Sequence, residues 1–300
     1  MGTKSVRAGQ HTVEIHRPDK KLFPDDGLTK EDIVGYYRSI APFMVPHLKD
    51  RPLMLERHPD GIGGLRFMQK QTPDTYPEWI HRVEVDKADG TVVHPVCDST
   101  ATLLFLADQA TLTFHRWQSK VKRLERPDRM VFDLDPAEDD FEAVRRAARQ
   151  LGELLDELRL PSALMTTGSR GLHVIVPLSA DADFEETRAF ARDVAEKLAE
   201  RDPDRLTTAV RKKAREGRLY LDIQRNAYAQ TAVAPYSIRA KPGAPVATPI
   251  TWEQVKDPEL TAQRWTVTDV LEQARTKPWE GILSRGRSLA PARRRLDSLG

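Results

Sequence analysis

Apolar residues recur at helical spacing in three long segments of the chain. One predicted helix begins after Thr29, a favourable N-cap residue, and runs to about residue 48. A second covers residues 141–159 after the capping Asp140, and a third covers 184–199. The buried face of the first helix is predicted to consist of Ile33, Tyr36, Tyr37 and Ile40.

Shorter segments have the alternation and composition of strands. Residues 11–16 and 219–223 alternate between apolar and polar side chains, and residues 174–178 form a continuous apolar run. Strands and helices interleave along the sequence, which predicts a mixed α+β fold.

One predicted strand, residues 129–136, differs from the others because two carboxylates interrupt its apolar run. Asp133 and Asp135 are two residues apart and therefore point to the same face of the strand. Pro136 has no backbone N–H and ends the strand. Adjacent carboxylates repel each other unless a divalent cation lies between them. A metal site and a solvated pair at a strand end both stay open at this point.

A loop between two predicted strands, residues 166–173, has the composition of a phosphate-binding loop. Gly168 and Gly171 allow a tight backbone, and hydroxyl groups, an arginine and a histidine lie beside them. Backbone N–H groups and positive charge suit an anionic phosphate chain. Loops rich in glycine and serine are common, so this loop does not identify a function by itself.

The segment before the first helix, residues 17–24, is a turn-rich basic loop. Lys30 follows in the first helical turn, where the helix dipole disfavours a cation. An anion held by the free N–H groups of the helix start would explain this placement, and Lys20 could supply a second positive charge. Ordinary solvated lysines are the alternative.

Composition limits the classes of protein that the chain can represent. Of the 300 residues, 39% are hydrophobic and 31% charged, and the formal net charge is only +2, so nucleic-acid binding would need local basic patches. The single cysteine, Cys97, excludes an internal disulfide framework and a cysteine-based zinc knuckle. The first ten residues lack the apolar core of a signal peptide, and no apolar run is long enough to span a bilayer. We expect a cytoplasmic protein, associated with the nucleoid if DNA is its substrate.

Three strand-borne aspartates, the phosphate-type loop and scattered arginines fit nucleotidyl transfer. Asp133, Asp135 and Asp222 could bind two divalent ions. In such sites one ion lowers the pKa of a primer 3′-hydroxyl, and the other stabilises the leaving pyrophosphate. A lone histidine such as His115 is more often structural than functional.

Ordered motifs in the chain resemble those of the archaeo-eukaryotic primase superfamily. They are V-F-D-L-D-P at 131–136, T-G-S-R-G-L-H at 167–173 and L-D at 221–222. With A-P-Y-S-I-R at 234–239, the set is most similar to the polymerase module of bacterial ligase D, used in non-homologous end joining, and to its stand-alone relatives. The similarity extends over about residues 13–270.

The resemblance implies roles for individual residues. Asp133, Asp135 and Asp222 match the metal-binding carboxylates of a two-metal site for Mg²⁺ or Mn²⁺. The residues that match nucleotide contacts are Thr167, Ser169, Arg170, His173, His115, Arg215, Arg225 and Arg239. Those that match a site for the DNA 5′-phosphate are Arg17, Lys20 and Lys30. Phe67 and Met68 match template-side positions, and Met68 stands where relatives have a second aromatic residue.

The same resemblance implies a primase-polymerase core of two sheets with flanking helices and a central catalytic cleft. We expect one catalytic domain of two interlocked lobes over residues 1–283. A basic tail over 284–300 follows, and its composition favours exposure and allows disorder. The chain is expected to be a monomer.

The implied activity is template-directed extension of a primer 3′-hydroxyl from nucleoside triphosphates, with ribonucleotides preferred, at short gaps or ends in double-strand-break repair. Gapped or end-joined DNA with a 5′-phosphate, Ku and a DNA ligase are the implied partners. A stand-alone primase-polymerase for excision-repair gaps or priming is the nearest alternative. A non-catalytic RNA-recognition-like module and a metal-dependent phosphodiesterase are alternatives of other classes.

Overall fold

A computed structural model describes residues 2–87 and 90–299 of the chain. Its residues form two compact units, each assembled from three segments of the sequence. Unit 1 consists of Met1–Trp117, Val233–Ala247 and Trp265–Arg275, and unit 2 consists of Gln118–Ala232, Thr248–Arg264 and Thr276–Gly300.

The strands and helices interleave along the chain as predicted. The strands are β1 (Thr3–Ala8), β2 (His11–His16), β3 (Lys21–Phe23), β4 (Leu28–Thr29), β5 (Leu53–Arg57), β6 (Phe67–Gln69), β7 (Arg82–Lys87), β8 (Gly90–Pro95), β9 (Thr111–Trp117), β10 (Arg129–Asp135), β11 (Ala163–Thr166), β12 (Leu172–Pro177), β13 (Leu206–Thr207), β14 (Leu219–Asp222), β15 (Thr231–Val233) and β16 (Thr248–Ile250). The helices are α1 (Lys30–Leu48), α2 (Thr100–Asp108), α3 (Phe141–Glu157), α4 (Phe184–Arg201), α5 (Val270–Arg275) and α6 (Leu289–Asp297).

Local sequence signals set the starts of the long helices. Thr29 caps α1 through a reciprocal capping box with Asp32, and Asp183 does the same for α4 with Glu186. Asp140 caps α3 by accepting a hydrogen bond from the amide of Ala143. The three helices predicted from apolar spacing are therefore confirmed, with ends within a few residues of the prediction.

Unit 1 contains α1, α2 and α5 with several small sheets. Its largest sheet contains β9, β5 and β6, with β5 in the middle. The predicted face of α1 is buried, and the ring of Tyr37 packs edge-to-face on Phe114 of β9 at 5.0 Å between ring centroids. Helix α1 also packs along α2. These contacts make the hydrophobic core of the unit.

Unit 2 is built on a six-stranded sheet with the order β13-β14-β10-β12-β11-β16. Helices α3 and α4 both pack against β10, and the predicted apolar stripe of α3 is buried there. Strand β10 lies between β14 and β12 and pairs with both in antiparallel fashion. A central strand is held by hydrogen bonds on both edges, which fixes its side chains in register.

The tail over 284–300 differs from the prediction of an exposed, disorder-prone segment. Residues Leu289, Ala292 and Leu296 of α6 are buried in unit 2, and Arg293 pairs with Asp193 while stacking on the ring of Phe190 at 4.9 Å. Three apolar residues at helical spacing are enough to bury one face when a partner helix is available. The prediction overlooked this stripe because arginines dominate the segment.

No helix within residues 2–87 and 90–299 has the length and apolar character needed to cross a bilayer.

Candidate active site

The register of the central strands in unit 2 aligns all three sequence motifs. Asp133 of β10 lies opposite His173 of β12 on one side and opposite Asp222 of β14 on the other. Directly opposed residues in a sheet have neighbouring side chains on one face. Residues separated by 40 to 89 positions in the sequence thus form one row across three strands.

A histidine and an arginine contact the Asp133 carboxylate. His173 Nε2 lies 3.5 Å from Asp133 Oδ1, and Arg225 Nε lies 3.3 Å from Oδ2. Burial alone would raise the pKa of Asp133, but the charge and hydrogen bonds of His173 and Arg225 outweigh it and lower the pKa to about 2. Asp133 is therefore ionised at neutral pH.

Two arginines share the carboxylate of Asp135. Arg170 Nη2 lies 3.0 Å from Oδ1 and Arg215 Nη1 lies 3.1 Å from Oδ2. Arg215 is held more firmly of the two, because it also donates to the carbonyls of Ala209 and Val210 and stacks on the ring of Tyr220 at 4.0 Å. Arg170 lies in the loop between β11 and β12, whereas Arg215 lies before β14, and the two meet at one aspartate.

Asp222 has a different electrostatic environment. Burial raises the pKa of its carboxyl above the ordinary value, and the neighbouring Asp133 raises it further. The backbone amide of Gln224, which donates to Oδ1 at 2.7 Å, opposes this shift together with Arg225. An added positive charge near Asp222 would favour its ionised form.

The loop between β11 and β12 is shaped from within by Thr167. Its hydroxyl donates to the Gly171 carbonyl at 3.0 Å and accepts from the amides of Ser169 and Gly171. Gly168 has a φ of +62°, and a Cβ on Gly171 would lie 2.1 Å from the Leu134 carbonyl oxygen, so glycine is needed at the second position. The Thr167 side chain is buried and its hydroxyl is bonded inside the loop, and the direct nucleotide contact expected for it stays a prediction.

The carboxylate oxygens of Asp133 and Asp222 in this row are suitable ligands for a hard divalent cation. Carboxylate oxygens are the preferred ligands of Mg²⁺ and Mn²⁺. Nδ1 of His173 is also buried without a hydrogen bond to any described residue. Among residues 2–87 and 90–299, however, no three His, Cys, Asp or Glu side chains are grouped so that they could hold a metal as they stand. Asp133 and Asp135 face arginines and Asp222 faces a backbone amide, so the two-metal site stays a prediction.

Unit 1 contains a small basic cavity of about 220 Å³. The residues that line it are His16, Arg17, Lys30, Arg57, Pro59, Asp108, Gln109 and Ala110. The structure thus brings together two of the three residues predicted to bind the 5′-phosphate. Lys20 is not among the lining residues and pairs instead with Asp60 at 2.9 Å.

The prediction that free N–H groups at the start of α1 would hold an anion is wrong. The amide of Lys30 donates to the Lys20 carbonyl at 2.8 Å, and the amide of Glu31 donates to the Pro18 carbonyl at 3.0 Å. The basic loop folds back onto the helix and supplies these acceptors. Any anion in the cavity must therefore be held by side chains.

A buried aspartate organises the cavity. Lys30 Nζ donates to the Asp108 carbonyl at 2.7 Å and to its carboxylate at 3.2 Å, and the same carboxylate accepts from the His16 amide at 2.8 Å. Burial lowers the pKa of Lys30, Asp108 opposes that effect, and Arg17 and Lys20 add to it. The helix-start position of Lys30 is thus explained by a carboxylate 78 residues away.

His115 lies in unit 1 beside a buried carboxylate that the sequence did not reveal. Its Nε2 is 3.6 Å from Oε2 of Glu56, whose other oxygen is 3.2 Å from His58 Nε2 and 2.9 Å from Arg66 Nε. Burial alone would raise the pKa of Glu56, but these partners lower it well below the ordinary range. Glu56 is therefore a fixed negative charge beside His115.

The predicted template residues lie on the edge strand β6 of unit 1. Phe67 is 36% exposed and Met68 is 40% exposed, which leaves both available to a ligand. The guanidinium of Arg57 stacks over the Phe67 ring at 5.1 Å. Arg239, the remaining predicted nucleotide contact, lies in the loop of unit 1 before β16, where its amide donates to the Pro245 carbonyl.

Sequence reasoning missed Glu56, Asp108, Arg57 and His16. Each of the four interacts with residues distant in the sequence, such as Asp108 with His16 across 92 positions. No local spacing or motif marks such pairs. A buried charged residue becomes recognisable only when its partner is known.

The row of carboxylates, the hydroxyl-lined loop and the arginines of unit 2 define a nucleotidyltransferase of the primase-polymerase class. A sequence model described as the primase-polymerase domain of LigD matches residues 29–279, so the chain belongs to the LigD primase-polymerase domain family. The family resemblance expected from the motifs is confirmed.

Full-length relatives and a solved structure agree with this assignment. The chain is 35% identical over 265 residues to the multifunctional non-homologous end joining protein LigD of Mycolicibacterium smegmatis, covering 87% of this chain and 35% of that protein. It is 35% identical to the bifunctional LigD of Bacillus subtilis, covering 85% of this chain and 41% of that protein. The polymerase domain of Mycobacterium tuberculosis ligase D, solved in complex with DNA, superposes with a TM-score of 0.85 at 30% identity, covering 91% of this chain and 98% of that one. The chain therefore spans 35% to 41% of the length of these LigD proteins.

Proposed function

We propose that this chain is a template-directed polymerase that adds nucleotides to a primer 3′-hydroxyl at short gaps or ends during non-homologous end joining. The observation that best supports this is the row formed by His173, Asp133 and Asp222 across three paired strands. Family membership supports the polymerase chemistry. The pathway is proposed because the LigD relatives are named as end-joining proteins.

The side chains of unit 2 divide the work of such a reaction. Asp133, Asp135 and Asp222 would hold Mg²⁺ or Mn²⁺, which supplies charge neutralisation at the phosphates and acidifies the attacking hydroxyl. Arg170 and Arg225 are each 41% exposed and can donate charge-assisted hydrogen bonds to an incoming triphosphate. Arg215 is only 11% exposed and is better suited to orient Asp135.

The other parts of the site are suited to positioning. The tight loop held by Thr167 presents the partly exposed Ser169 next to Arg170, as expected for a loop that binds phosphates. His173 is buried beside Asp133 and can fix the orientation of that carboxylate. The protein would then contribute mainly position and preorganised charge rather than covalent chemistry.

The alternatives are separated by chemistry at the same site. An RNA-recognition-like module needs stacking aromatic residues on its central strands, whereas β10 presents Asp133 and Asp135. A phosphodiesterase would use the carboxylates to cleave DNA instead of extending it. A stand-alone primase-polymerase would share the chemistry and differ only in its DNA substrate and partners.

One assay distinguishes these functions. The protein is mixed with a gapped duplex that has a labelled primer, nucleoside triphosphates and Mn²⁺. We expect extension of the primer by a few nucleotides, directed by the template. Shortening of the primer would instead indicate a phosphodiesterase, and retardation in a gel without any change in primer length would indicate a binding module.

We further propose that ribonucleotides are incorporated faster than deoxynucleotides, with His115 as the candidate contact to the 2′-hydroxyl. A site that hydrogen-bonds the 2′-hydroxyl leaves one of its own polar groups unpaired when the substrate is a deoxynucleotide. The unpaired group costs about 1–3 kcal/mol, or about 5-fold to 150-fold in rate. Single-turnover rates with each nucleotide type measure the ratio. His115→Ala should reduce it, and the exposed His81→Ala serves as the control. Equal single-turnover rates with ribonucleotides and deoxynucleotides in the wild type would contradict the proposal.

The basic cavity of unit 1 is proposed to bind the 5′-phosphate on the downstream side of a gap. Arg17 and Lys30 line it, and Lys20 adds charge in the adjacent loop. Because charge-assisted hydrogen bonds contribute about 1.5–3 kcal/mol, a phosphorylated gap should bind about 10-fold to 100-fold more tightly than an unphosphorylated one.

Fluorescence anisotropy titrations at two salt concentrations test this preference, which should shrink as salt rises. Combined replacement of Arg17, Lys20 and Lys30 by glutamine should reduce it to about twofold or less. Lys21→Gln in the adjacent strand β3 is the matched control and should retain it. A wild type that binds both gaps equally would show that these cations are ordinary surface charges.

Ku and a DNA ligase are proposed as partners because end joining requires end recognition and sealing. The site of action would be the cytoplasmic nucleoid, where chromosomal ends occur. We propose that the chain works as a monomer, and sedimentation of the chain alone and with Ku-bound DNA would test both points.

A further inference from the structure

Arg57 lies at the end of β5 and contacts the edge strand that presents the template residues. Its Nη1 donates to the side-chain oxygen of Gln69 at 2.6 Å. Its guanidinium lies over the ring of Phe67 at 5.1 Å, and Phe67 is the direct cross-strand neighbour of Arg57. One side chain therefore holds both ends of the short strand β6.

The same side chain lines the basic cavity of unit 1. Nε of Arg57 donates at 2.6 Å to the carbonyl of Gln109, and Arg17 and Lys30 line the cavity with both residues. Arg57 is thus in contact with the cavity through one part of its guanidinium and with Phe67 through its face. The bonds to Gln69 and Gln109 use two of its five N–H groups, and three others can bond an anion.

We propose that Arg57 is a positioning residue that couples occupation of the cavity by a 5′-phosphate to the placement of Phe67 against the template. This inference rests on the proposed polymerase function and on the cavity as the phosphate site. A guanidinium is a rigid planar fork, so a phosphate oxygen that bonds its edge also fixes the plane of its face. The ring stacked on that face is then held in one orientation.

The coupling has a measurable consequence. If Arg57 transmits it, the affinity gained from a 5′-phosphate depends on whether residue 67 is an aromatic ring. If the two sites are independent, the gain is the same with and without the ring. A double-mutant cycle separates these cases, because it isolates the interaction between two features from the effect of each alone.

The test uses gapped duplexes with a 5′-phosphate or a 5′-hydroxyl and 2-aminopurine at the template position opposite the gap. Dissociation constants are measured for the wild type, Phe67→Ala, Arg57→Gln and the double variant. We expect Phe67→Ala to reduce the phosphate-dependent gain in affinity about fivefold or more in the wild-type background and less than twofold in the Arg57→Gln background, as expected when a coupled pair loses its connecting group. The 2-aminopurine fluorescence should respond to the phosphate only when Arg57 and Phe67 are both present.

Arg57→Lys separates charge from shape, because lysine keeps the cation and lacks the planar fork. It should retain part of the phosphate preference and lose the dependence on Phe67, and it serves as the test variant if Arg57→Gln does not fold. Arg38→Gln on the exposed side of α1 is the matched control and should behave as the wild type.

The outcomes distinguish this inference from the proposed function. A wild type that neither extends the primer nor prefers the phosphate contradicts the proposed function itself. A wild type that does both, with a phosphate gain that depends on Phe67 as strongly in the Arg57→Gln and Arg57→Lys backgrounds as in the wild-type background, overturns the role of Arg57. A phosphate gain that never depends on Phe67 overturns it as well.

Discussion

Replacing Asp133 by asparagine is expected to lower the rate of primer extension by at least about 1,000-fold, which corresponds to about 4 kcal/mol of transition-state stabilisation. Asp133 is the centre of the row in unit 2, because His173 and Asp222 both lie opposite it and Arg225 contacts it. Asparagine keeps the shape of the side chain and removes its charge. Affinity for gapped DNA should change little, because most of that affinity comes from phosphate contacts elsewhere.

Two measurements accompany the extension assay for Asp133→Asn. Calorimetric titration with Mn²⁺ should show weaker binding of the metal, independently of any turnover. A gel-shift titration should show DNA binding close to that of the wild type. The exposed Asp204→Asn is the control for loss of one negative charge in the same unit. Extension by Asp133→Asn within about tenfold of the wild type would contradict the assignment of this carboxylate.

Replacing Asp108 by alanine is expected to lower the free energy of unfolding by about 3–5 kcal/mol, the usual cost of breaking a buried ion pair on one side. The carboxylate is 2% exposed and accepts hydrogen bonds from the His16 amide and Lys30 Nζ. Without it, the ammonium of Lys30 keeps only the carbonyl of residue 108 and faces Arg17 and Lys20, which already lower its pKa.

Urea titration followed by circular dichroism measures the loss of stability. The double variant Asp108→Asn with Lys30→Met should recover part of it, because neither member of the pair then has an unpaired charge. Asp86→Ala in the exposed strand β7 is the control and should stay within about 0.5 kcal/mol of the wild type. A loss below about 1 kcal/mol for Asp108→Ala would mean that Lys30 finds other solvation in the folded protein.

The cavity in unit 1 shows how the fold compensates a placement of a charged residue that is unfavourable in the sequence. Lys30 was expected near an anion because a cation is unfavourable at a helix start. The structure does place it beside a carboxylate, that of Asp108, but the N–H groups of the helix start are already bonded to the loop carbonyls. The sequence showed the unfavourable placement, whereas the compensating group lies in α2 and could be identified only after folding.

The amphipathic helices, their caps and the aspartates of β10 could be read from the sequence because they depend on local interactions. A cap is a bond between residues three positions apart, as between Thr29 and Asp32, and the shared face of Asp133 and Asp135 follows from the two-residue period of a strand. The tail could have been read in the same way, since Leu289, Ala292 and Leu296 are at helical spacing. Its abundant charge concealed that pattern.

The tertiary structure alone decided which distant residues meet. Pairing of β10 with β12 and β14 sets Asp133 between His173 and Asp222, and a shift of one residue in either register would turn the row to opposite faces of the sheet. In the same way, only packing joins Arg57 to both Phe67 and the basic cavity. Local spacing contains no information about such partners, because their choice depends on how whole strands and helices bury their apolar faces against one another.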